Sequence, residues 1–192
     1  IEDVEAAVPL ARALARGGLR VIEITLRTEA ALECIRRAAA EVEEAVVGAG
    51  TILDGRQFDA AARAEARFIV SPGIAPGVLA AAASSEVPLL PGAITPGEMM
   101  TALEAGIDFL KFFPAEQAGG TAFLKALASP FQGVRFCPTG GISAANAKDY
   151  LGLPNVVCVG GSWPAPDALV KAGKWAEIEA LAREAGALKK AA

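Results

Sequence analysis

Lys111 is a charged residue inside one of the most apolar segments of the chain, residues 109–114. Burying an ammonium group is costly unless the group is paired or gives up its proton. An amine that desolvation drives toward its neutral form is a nucleophile near neutral pH, and it can attack a carbonyl carbon to form an imine. Strand alternation places Phe109, Lys111 and Phe113 on one face, which gives the amine aromatic neighbours. The alternative is a structural lysine that reaches solvent from a strand end or pairs with a carboxylate.

A second set of polar side chains follows strand alternation in residues 19–27. Val21, Glu23, Thr25 and Arg27 share one face, and the aliphatic residues between them share the other. We expect the polar face to line a site and the aliphatic face to pack beneath helices. A carboxylate can move protons, directly or through water, and an arginine can hold a substrate carboxylate. A structural ion pair between Glu23 and Arg27 is the competing interpretation.

Two glycine-rich segments indicate an anion site. One, residues 139–143, follows the next-to-last predicted strand, and the other, residues 160–162, follows the last. In (β/α)8 barrels, phosphate sites are often built from the loops after the last two strands, with backbone N–H groups as donors. Tight turns are the alternative role of each glycine pair. Together with the amine, the carboxylate and the arginine, an anion site suits imine chemistry on a phosphorylated 2-oxo acid, in which the protonated imine accepts electrons during C–C cleavage.

The composition limits the classes of function. The chain has 192 residues, of which 53% are hydrophobic, and a formal charge of −4. These values predict one ordered domain, residues 1–192, and argue against nucleic acid or an anionic membrane as a partner. The apolar runs are too short to span a bilayer and no secretory leader is visible, so we expect a cytoplasmic protein.

The chain contains no histidine. Ser-His and Cys-His nucleophile pairs and the usual zinc sites are therefore excluded, and we expect neither a metal nor a cofactor. Cys34, Cys137 and Cys158 lack the spacing of metal ligands, and we expect them to be buried, free thiols in a reducing compartment. Acid–base chemistry then falls to carboxylates, lysine, tyrosine or water.

Short apolar runs alternate with longer helical segments along the whole chain. They predict strands at 19–26, 45–48, 68–71, 87–90, 109–113, 134–138 and 156–160. Alternation of this kind predicts an α/β fold with a parallel sheet, either doubly wound or closed into a barrel. A leucine-rich solenoid is excluded because its repeat signature is absent.

Helices are predicted between these strands. The segment 2–16 is amphipathic, and Pro9 within it predicts a kink or a late start. Thr95 and Pro96 are suited to the N-cap and the first position of a helix that runs to residue 105. Further helices are predicted at 29–43 and at 165–188, the latter interrupted near Gly173. Gly and Pro gather after the strands, at the edge that carries the active site in a (β/α)8 barrel.

At six places the chain resembles the 2-keto-3-deoxy-6-phosphogluconate (KDPG) aldolases, which are Schiff-base (class I) enzymes of the (β/α)8 fold. The resemblance covers nearly the whole chain. It rests on residues 22–28, 47–51, 71–73, 111–116, 135–142 and 160–163.

The resemblance implies a role for each residue of the catalytic end of the site. Lys111 resembles the Schiff-base lysine of the family, and Glu23 its general acid/base, which acts with a water. Arg27 and Thr51 resemble the groups that hold the pyruvate carboxylate.

The rest of the site is implied in the same way. Pro72 and Phe113 resemble its pocket wall, and Thr139 resembles the residue that contacts the hydroxyl-bearing chain of the substrate, in the gluconate series. The positions that match the phosphate site of the family are Gly140, Gly141 and Ser162.

The resemblance also implies an activity and an assembly. The family cleaves KDPG to pyruvate and glyceraldehyde 3-phosphate, and many members also act on 4-hydroxy-2-oxoglutarate. Its members need no cofactor and are typically homotrimers. We therefore expect a small-molecule substrate and a homotrimer, with no nucleic-acid or membrane partner.

The chain departs from the family in two places. The first strand of the family precedes the helix that opens this chain, so the expected fold is a (β/α)8 TIM barrel with its first strand absent. Because an open barrel would leave unpaired edges, that strand is either truncated here or supplied from elsewhere. The second departure is the proline-rich segment 163–166 beside the phosphate loop.

Two other functions are compatible with the same fold. A catalytically silent or engineered scaffold could bind a phosphate ligand on this barrel, since a fold does not fix a function. A different phosphosugar enzyme, such as an isomerase or a synthase, would need no imine and would tolerate replacement of Lys111.

Overall fold

Helices and short parallel strands alternate along residues 1–188, which are the residues that the computed structural model describes. The last four residues of the predicted domain 1–192 lie outside them. The strands are β1 (Val21–Thr25), β2 (Val46–Gly50), β3 (Ile69–Val70), β4 (Leu89–Leu90), β5 (Phe109–Phe112) and β6 (Arg135–Pro138). A 3-10 turn at Val4–Ala6 precedes the helices α1 (Ala7–Arg16), α2 (Ala31–Glu41), α3 (Gly55–Arg63), α4 (Pro76–Ala83), α5 (Pro96–Glu104), α6 (Gly120–Leu127), α7 (Ala147–Leu151), α8 (Asp167–Lys171) and α9 (Trp175–Gly186).

Six of the seven predicted strands form, and their pairing is parallel where a register is defined. They belong to a four-stranded sheet in the order β1-β2-β3-β4 and a two-stranded sheet of β5 and β6. The predicted strand at 156–160 is reduced to two isolated parallel bridges, Phe136 with Val156 and Thr139 with Gly160. Among the described residues β1 is the first strand, as the sequence predicted. The α/β class is thus confirmed.

The described chain falls into two compact units. The first comprises residues 1–71, 75–89 and 164–187, and the second comprises residues 72–74 and 90–163 together with Leu188. Strand β4 contributes Leu89 to the first unit and Leu90 to the second.

The core of the first unit lies between β1, β2 and the helices. β1 pairs with β2 from Val21↔Val46 to Thr25↔Gly50. Ile22 and Ile24 are each 8% exposed and join the core, whereas Val21 is 69% exposed. The predicted alternation of β1 is therefore confirmed.

The opening helix and the closing helix pack closely within this unit. A Cβ at Gly17, just after α1, would lie 2.4 Å from Cβ of Ala182 in α9, so only glycine fits there. α1 begins at Ala7, which puts Pro9 in its first turn, where a missing N–H costs no hydrogen bond. The late start that Pro9 predicted is confirmed.

Aromatic residues fill the core of the second unit. Leu110, Phe112 and Phe136 are fully buried on β5 and β6. The ring of Phe112 stacks on that of Phe123 with a centroid distance of 5.8 Å, and it meets Phe136 edge-on at 6.2 Å. Such geometries add to the free energy of burial and fix the position of the strands.

Two predicted helix boundaries are confirmed. Thr95 caps α5 by accepting a hydrogen bond from the Glu98 N–H, and the Glu98 side chain accepts one in return from the Thr95 N–H, so the two form a capping box. The C-terminal helical segment is interrupted at Gly173, where φ is +64°. Every helix within residues 1–188 is too short or too polar to cross a membrane.

Replacement of the cap tests the capping box. Thr95→Ala removes the acceptor for the Glu98 N–H and should lower the free energy of unfolding by about 1 kcal/mol in urea titrations. Thr101→Ala is the matched control, because it makes the same change on the exposed side of the same helix and should alter stability by only a few tenths of a kcal/mol. Equal effects of the two substitutions would contradict the capping role.

The cap should also depend on pH. Burial raises the pKa of Glu98, but the N–H groups of Ile94 and Thr95 and the Thr95 hydroxyl outweigh it, so the pKa lies below its ordinary value. A carboxylate with a lowered folded pKa contributes stability that is complete at neutral pH and is lost as pH falls through that pKa. Glu98→Gln should therefore destabilise the protein at pH 7 and have less effect under strongly acidic conditions, in urea titrations at both pH values.

Candidate active site

Lys111 lies on β5, a strand that is paired on both edges. Its N–H donates to the carbonyl of Pro91 and its carbonyl accepts from the N–H of Ala93, each at 2.9 Å. On the other edge, Lys111 is in register with Cys137 of β6. The residue is 7% exposed. A lysine that extends to solvent from a strand end is thereby excluded.

The ammonium group of Lys111 lies over an aromatic ring. Its Nζ atom is 5.3 Å from the centroid of Phe113, a distance that allows a cation–π interaction. The predicted aromatic neighbour is thus confirmed for Phe113. The ring of Phe109 faces the Arg135 guanidinium at 5.8 Å.

A pair of thiols lies near Lys111 in the second unit. The neighbouring Cys158 thiol, together with burial, raises the pKa of the Cys137 thiol, while the Thr139 hydroxyl and the Lys111 charge oppose the change. The interaction with Cys137 lowers the pKa of Cys158. All three cysteines are free thiols, as predicted, but the prediction that all are buried is wrong for Cys158, which is exposed. Its position beside the isolated bridges, outside a regular strand, accounts for the difference.

The glycine turn after β6 packs directly on the segment that continues β5. Gly140 and Gly141 have φ values of +95° and +78°, a left-handed conformation that favours glycine. A Cβ at Gly140 would lie 3.1 Å from atoms of Phe113 and Pro114. The turn therefore begins against the same ring that covers the Lys111 amine.

The second glycine segment lies beside Thr139. Thr139 forms a parallel bridge with Gly160, and a Cβ at Gly160 would lie 2.6 Å from the Thr139 Oγ1 atom. The Trp163 ring covers Gly161, where a Cβ would lie 2.0 Å from it. Ser162 is exposed between them. The two predicted phosphate segments are thus brought together through Thr139.

Pro72 belongs to the second unit, as Lys111 does. Gly92 forms a parallel bridge with Lys111. A Cβ atom at Gly92 would lie 2.1 Å from the carbonyl oxygen of Pro72. Only a glycine lets the Pro72 backbone approach the strand next to Lys111 so closely.

Glu23 lies on the exposed face of β1, and Arg27 follows that strand, both in the first unit. A Cβ at Gly50 would lie 1.8 Å from the Oε1 atom of Glu23, so the carboxylate occupies the space that a side chain at Gly50 would fill. Arg27 Nε donates to the Thr25 hydroxyl at 3.0 Å. This bond orients the guanidinium group, whose terminal nitrogens form the edge that can hold a carboxylate.

Thr51 follows β2 in a strained conformation. Its φ of +59° lies in the left-handed region, which is unfavourable for a β-branched residue. Strain of this kind is concentrated at sites of ligand contact and catalysis. The outlier is therefore a structural reason, independent of sequence, to assign Thr51 a functional role.

Each unit gathers a subset of the predicted site residues. In the first unit Glu23 lies on β1, Arg27 follows β1 and Thr51 follows β2. The second unit holds Lys111, Phe113, Thr139, Gly140, Gly141, Ser162 and Pro72. Within residues 1–188 no group of three or more metal-ligating side chains is present.

Some residues that shape the site were not predicted. Gly50 and Gly92 allow close approaches, and the signal for Gly50 was its place at the end of β2, in a segment that resembles the aldolases. Glu116, Asn146 and Tyr150 surround the glycine turn. Glu116 lies in one of the segments that resemble the aldolases, but its type gave no hint of its partner, because Tyr150 is 34 residues away in sequence.

Known proteins resemble this chain over most of its length. The family model "Aldolase: KDPG and KHG aldolase" matches residues 1–181. The KHG/KDPG aldolase of Escherichia coli K12 is 50% identical over 185 residues, which are 96% of this chain and 87% of that protein. The 2-dehydro-3-deoxy-phosphogluconate aldolase of Pseudomonas aeruginosa is 52% identical over 184 residues, or 95% of this chain and 84% of the relative.

Solved structures agree with this similarity. KDPG aldolase from Legionella pneumophila, with pyruvate captured as a covalent carbinolamine intermediate, has a TM-score of 0.94 and 43% identity, covering 96% of this chain and 90% of its own. The KDPG aldolase of Zymomonas mobilis with 3-phosphoglycerate has a TM-score of 0.93 and 48% identity, and the match covers 100% of this chain and 90% of that one. The chain therefore belongs to the KDPG and KHG aldolase family.

Proposed function

We propose that this chain is a class I aldolase, a lyase that cleaves KDPG to pyruvate and glyceraldehyde 3-phosphate, with 4-hydroxy-2-oxoglutarate as a second candidate substrate. The observation that carries the proposal is the burial of Lys111 on a strand hydrogen-bonded along both edges. A lysine held in this way loses little further freedom when it reacts. A primary amine held at a fixed position can attack a carbonyl carbon and form an imine.

The proposed reaction begins with attack of the Lys111 amine on the C2 carbonyl of the substrate. The carbinolamine loses water and becomes a protonated imine. Glu23, acting through a water, removes the proton of the C4 hydroxyl, the C3–C4 bond breaks, and its electron pair moves into the imine to give an enamine. Glyceraldehyde 3-phosphate leaves, C3 takes up a proton, and water hydrolyses the imine to release pyruvate and the free amine.

The remaining residues would orient the substrate. We assign the pyruvate carboxylate to Arg27 and Thr51, and the wall beside the imine to Pro72 and Phe113. The Arg27 guanidinium is oriented by Thr25, which supports a bidentate contact. The proposed contacts of the far end of the substrate are Thr139 with its hydroxyl groups and, with the phosphate, Gly140, Gly141 and Ser162.

We also propose that the chain is a single-domain cytoplasmic enzyme that assembles as a homotrimer. The support is the family membership and the absence of any membrane-spanning helix within the described residues. Light scattering during size exclusion should give three times the 19.5 kDa mass of the chain. A monomer or dimer mass at micromolar concentration would contradict the trimer.

Trapping of pyruvate tests the nucleophile. Reduction with borohydride in the presence of pyruvate should add one reduced pyruvate to the intact mass, and peptide mapping should place it on Lys111, which is buried on β5. Lys111→Met should abolish both the adduct and KDPG cleavage.

Lys125→Met is the matched control, because Lys125 is exposed on α6, and it should keep full adduct formation and turnover. An adduct on another lysine, or none on a folded sample, would contradict the mechanism. A folded, assembled protein without turnover would favour the non-catalytic scaffold. Activity retained in Lys111→Met would favour an isomerase or synthase.

The contact between Gly50 and Glu23 gives a second test. Gly50→Ala places a methyl group where the Glu23 carboxylate lies, and the flexible end of that side chain must move. Turnover of KDPG should fall by about 10²-fold, the usual contribution of a general acid–base group. Circular dichroism should show a retained fold.

Gly97→Ala is the control for this substitution, because no atom lies within 4 Å of a Cβ at Gly97. It should leave turnover unchanged. Wild-type turnover in Gly50→Ala would show that Glu23 does not need its present position.

A further inference from the structure

Three carbonyl groups of the glycine turn are each held by a hydrogen bond. The Thr139 carbonyl accepts from the N–H of Ala115 at 2.8 Å, and the Gly140 carbonyl accepts from the N–H of Glu116 at 3.2 Å. The Gly141 carbonyl accepts from the side-chain amide of Asn146 at 2.9 Å. Three successive peptide units therefore have fixed orientations.

The fixed carbonyls determine where the N–H groups point. In a trans peptide the C=O and the following N–H point in opposite directions. The N–H groups of Gly140 and Gly141 are therefore directed away from residues 115–116, and that of Ile142 away from Asn146. Successive backbone N–H groups presented on one side form a concavity that binds anions.

Asn146 ties the two ends of this turn together. Its Oδ1 atom accepts a hydrogen bond from the Ser143 N–H at 2.8 Å, while its Nδ2 atom donates to the Gly141 carbonyl. One planar amide thus spans the loop between Gly141 and α7. Removal of this side chain would free the Gly141 peptide unit to rotate.

Glu116 holds the turn from the opposite side through its methylene groups. A Cβ at Gly141 would lie 2.5 Å from Cγ and 2.8 Å from Cβ of Glu116, so the aliphatic part of Glu116 covers Gly141. The Tyr150 hydroxyl donates a hydrogen bond to the Glu116 carboxylate. This bond fixes the rotamer that keeps the methylene groups against the turn.

Tyr150 is a rigid anchor for this contact. It is 1% exposed on α7. Burial, together with the hydrogen bond to Glu116, raises the pKa of the phenol well above its ordinary value, so the hydroxyl remains a donor at neutral and mildly alkaline pH. Because the carboxylate end of Glu116 is bonded to Tyr150, its methylene groups rather than its charge face Gly141.

We infer that Asn146 and the Glu116–Tyr150 pair are positioning residues, which fix the backbone N–H groups of the Gly140-Gly141 turn for the phosphate of the substrate. This inference rests on the proposed function, because it assumes that the turn binds that phosphate. None of the three side chains takes part in imine chemistry. Their effect is confined to the phosphorylated end of the substrate.

Substitutions at these positions should separate phosphate recognition from imine formation. In Asn146→Ala, Glu116→Ala and Tyr150→Phe, the KM for KDPG should rise about tenfold, the effect of losing one or two hydrogen bonds from phosphate, while kcat changes less. The dissociation constant of glyceraldehyde 3-phosphate, measured by calorimetry, should rise equally. The rate of borohydride trapping with pyruvate, which has no phosphate, should stay within about twofold of wild type.

Two further variants distinguish positioning from charge. Glu116→Gln keeps the methylene groups and an oxygen that can accept from Tyr150, so its KM should stay within about threefold of wild type. Asp149→Asn removes an exposed carboxylate from α7, next to Tyr150, and controls for a general electrostatic effect. A KM raised about tenfold in both of these variants as well would assign the effect to charge and overturn the inference.

The outcomes also separate this inference from the proposed function. Unchanged KM and glyceraldehyde 3-phosphate affinity in all three truncations, or equal losses for KDPG and pyruvate, would overturn the positioning role while leaving the aldolase intact. A wild-type protein that traps no pyruvate would overturn the proposed mechanism instead. Calorimetry with glyceraldehyde 3-phosphate would still test the turn in that case.

Discussion

The desolvation of one amine is the constraint on which the rest of the site depends. Lys111 can be buried at a fixed position because its backbone is held by the carbonyl of Pro91, the N–H of Ala93 and the register with Cys137. The Nζ atom of its side chain lies over the ring of Phe113. A strand with one free edge would admit water to the backbone and, with it, to the amine.

Glycines, which have no side chain, make the close packing around Lys111 and the neighbouring turns possible. Gly92 admits the backbone of Pro72, Gly50 leaves room for the Glu23 carboxylate, and Gly141 accepts the methylene groups of Glu116. At these positions a single methyl group would displace a wall, a proton-transfer group or a turn. Such glycines explain why the turns after the strands are rich in this residue.

The alternation of polar and apolar residues predicted the α/β class, six of seven strands and the faces of β1, and the residue types of Thr95 and Pro96 predicted the cap of α5, because these features depend on neighbours close in sequence. It did not predict the loss of regular pairing at 156–160 or the exposure of Cys158, which depend on contacts far away in sequence. The strain at Thr51 was also hidden, because threonine is a poor signal for positive φ. The hydrogen bond between Glu116 and Tyr150 could be found only from the fold, because the two residues are far apart in sequence.

Tyr150 is the single tyrosine of the chain. Its phenol is bonded to the residue that covers the glycine turn. The near-ultraviolet absorption of phenolate therefore comes from one known side chain. Its appearance on titration with base reports the opening of the contact between Tyr150 and Glu116, rather than an average over many tyrosines. The protein thus carries an intrinsic optical probe of the loop next to β6, readable without any label.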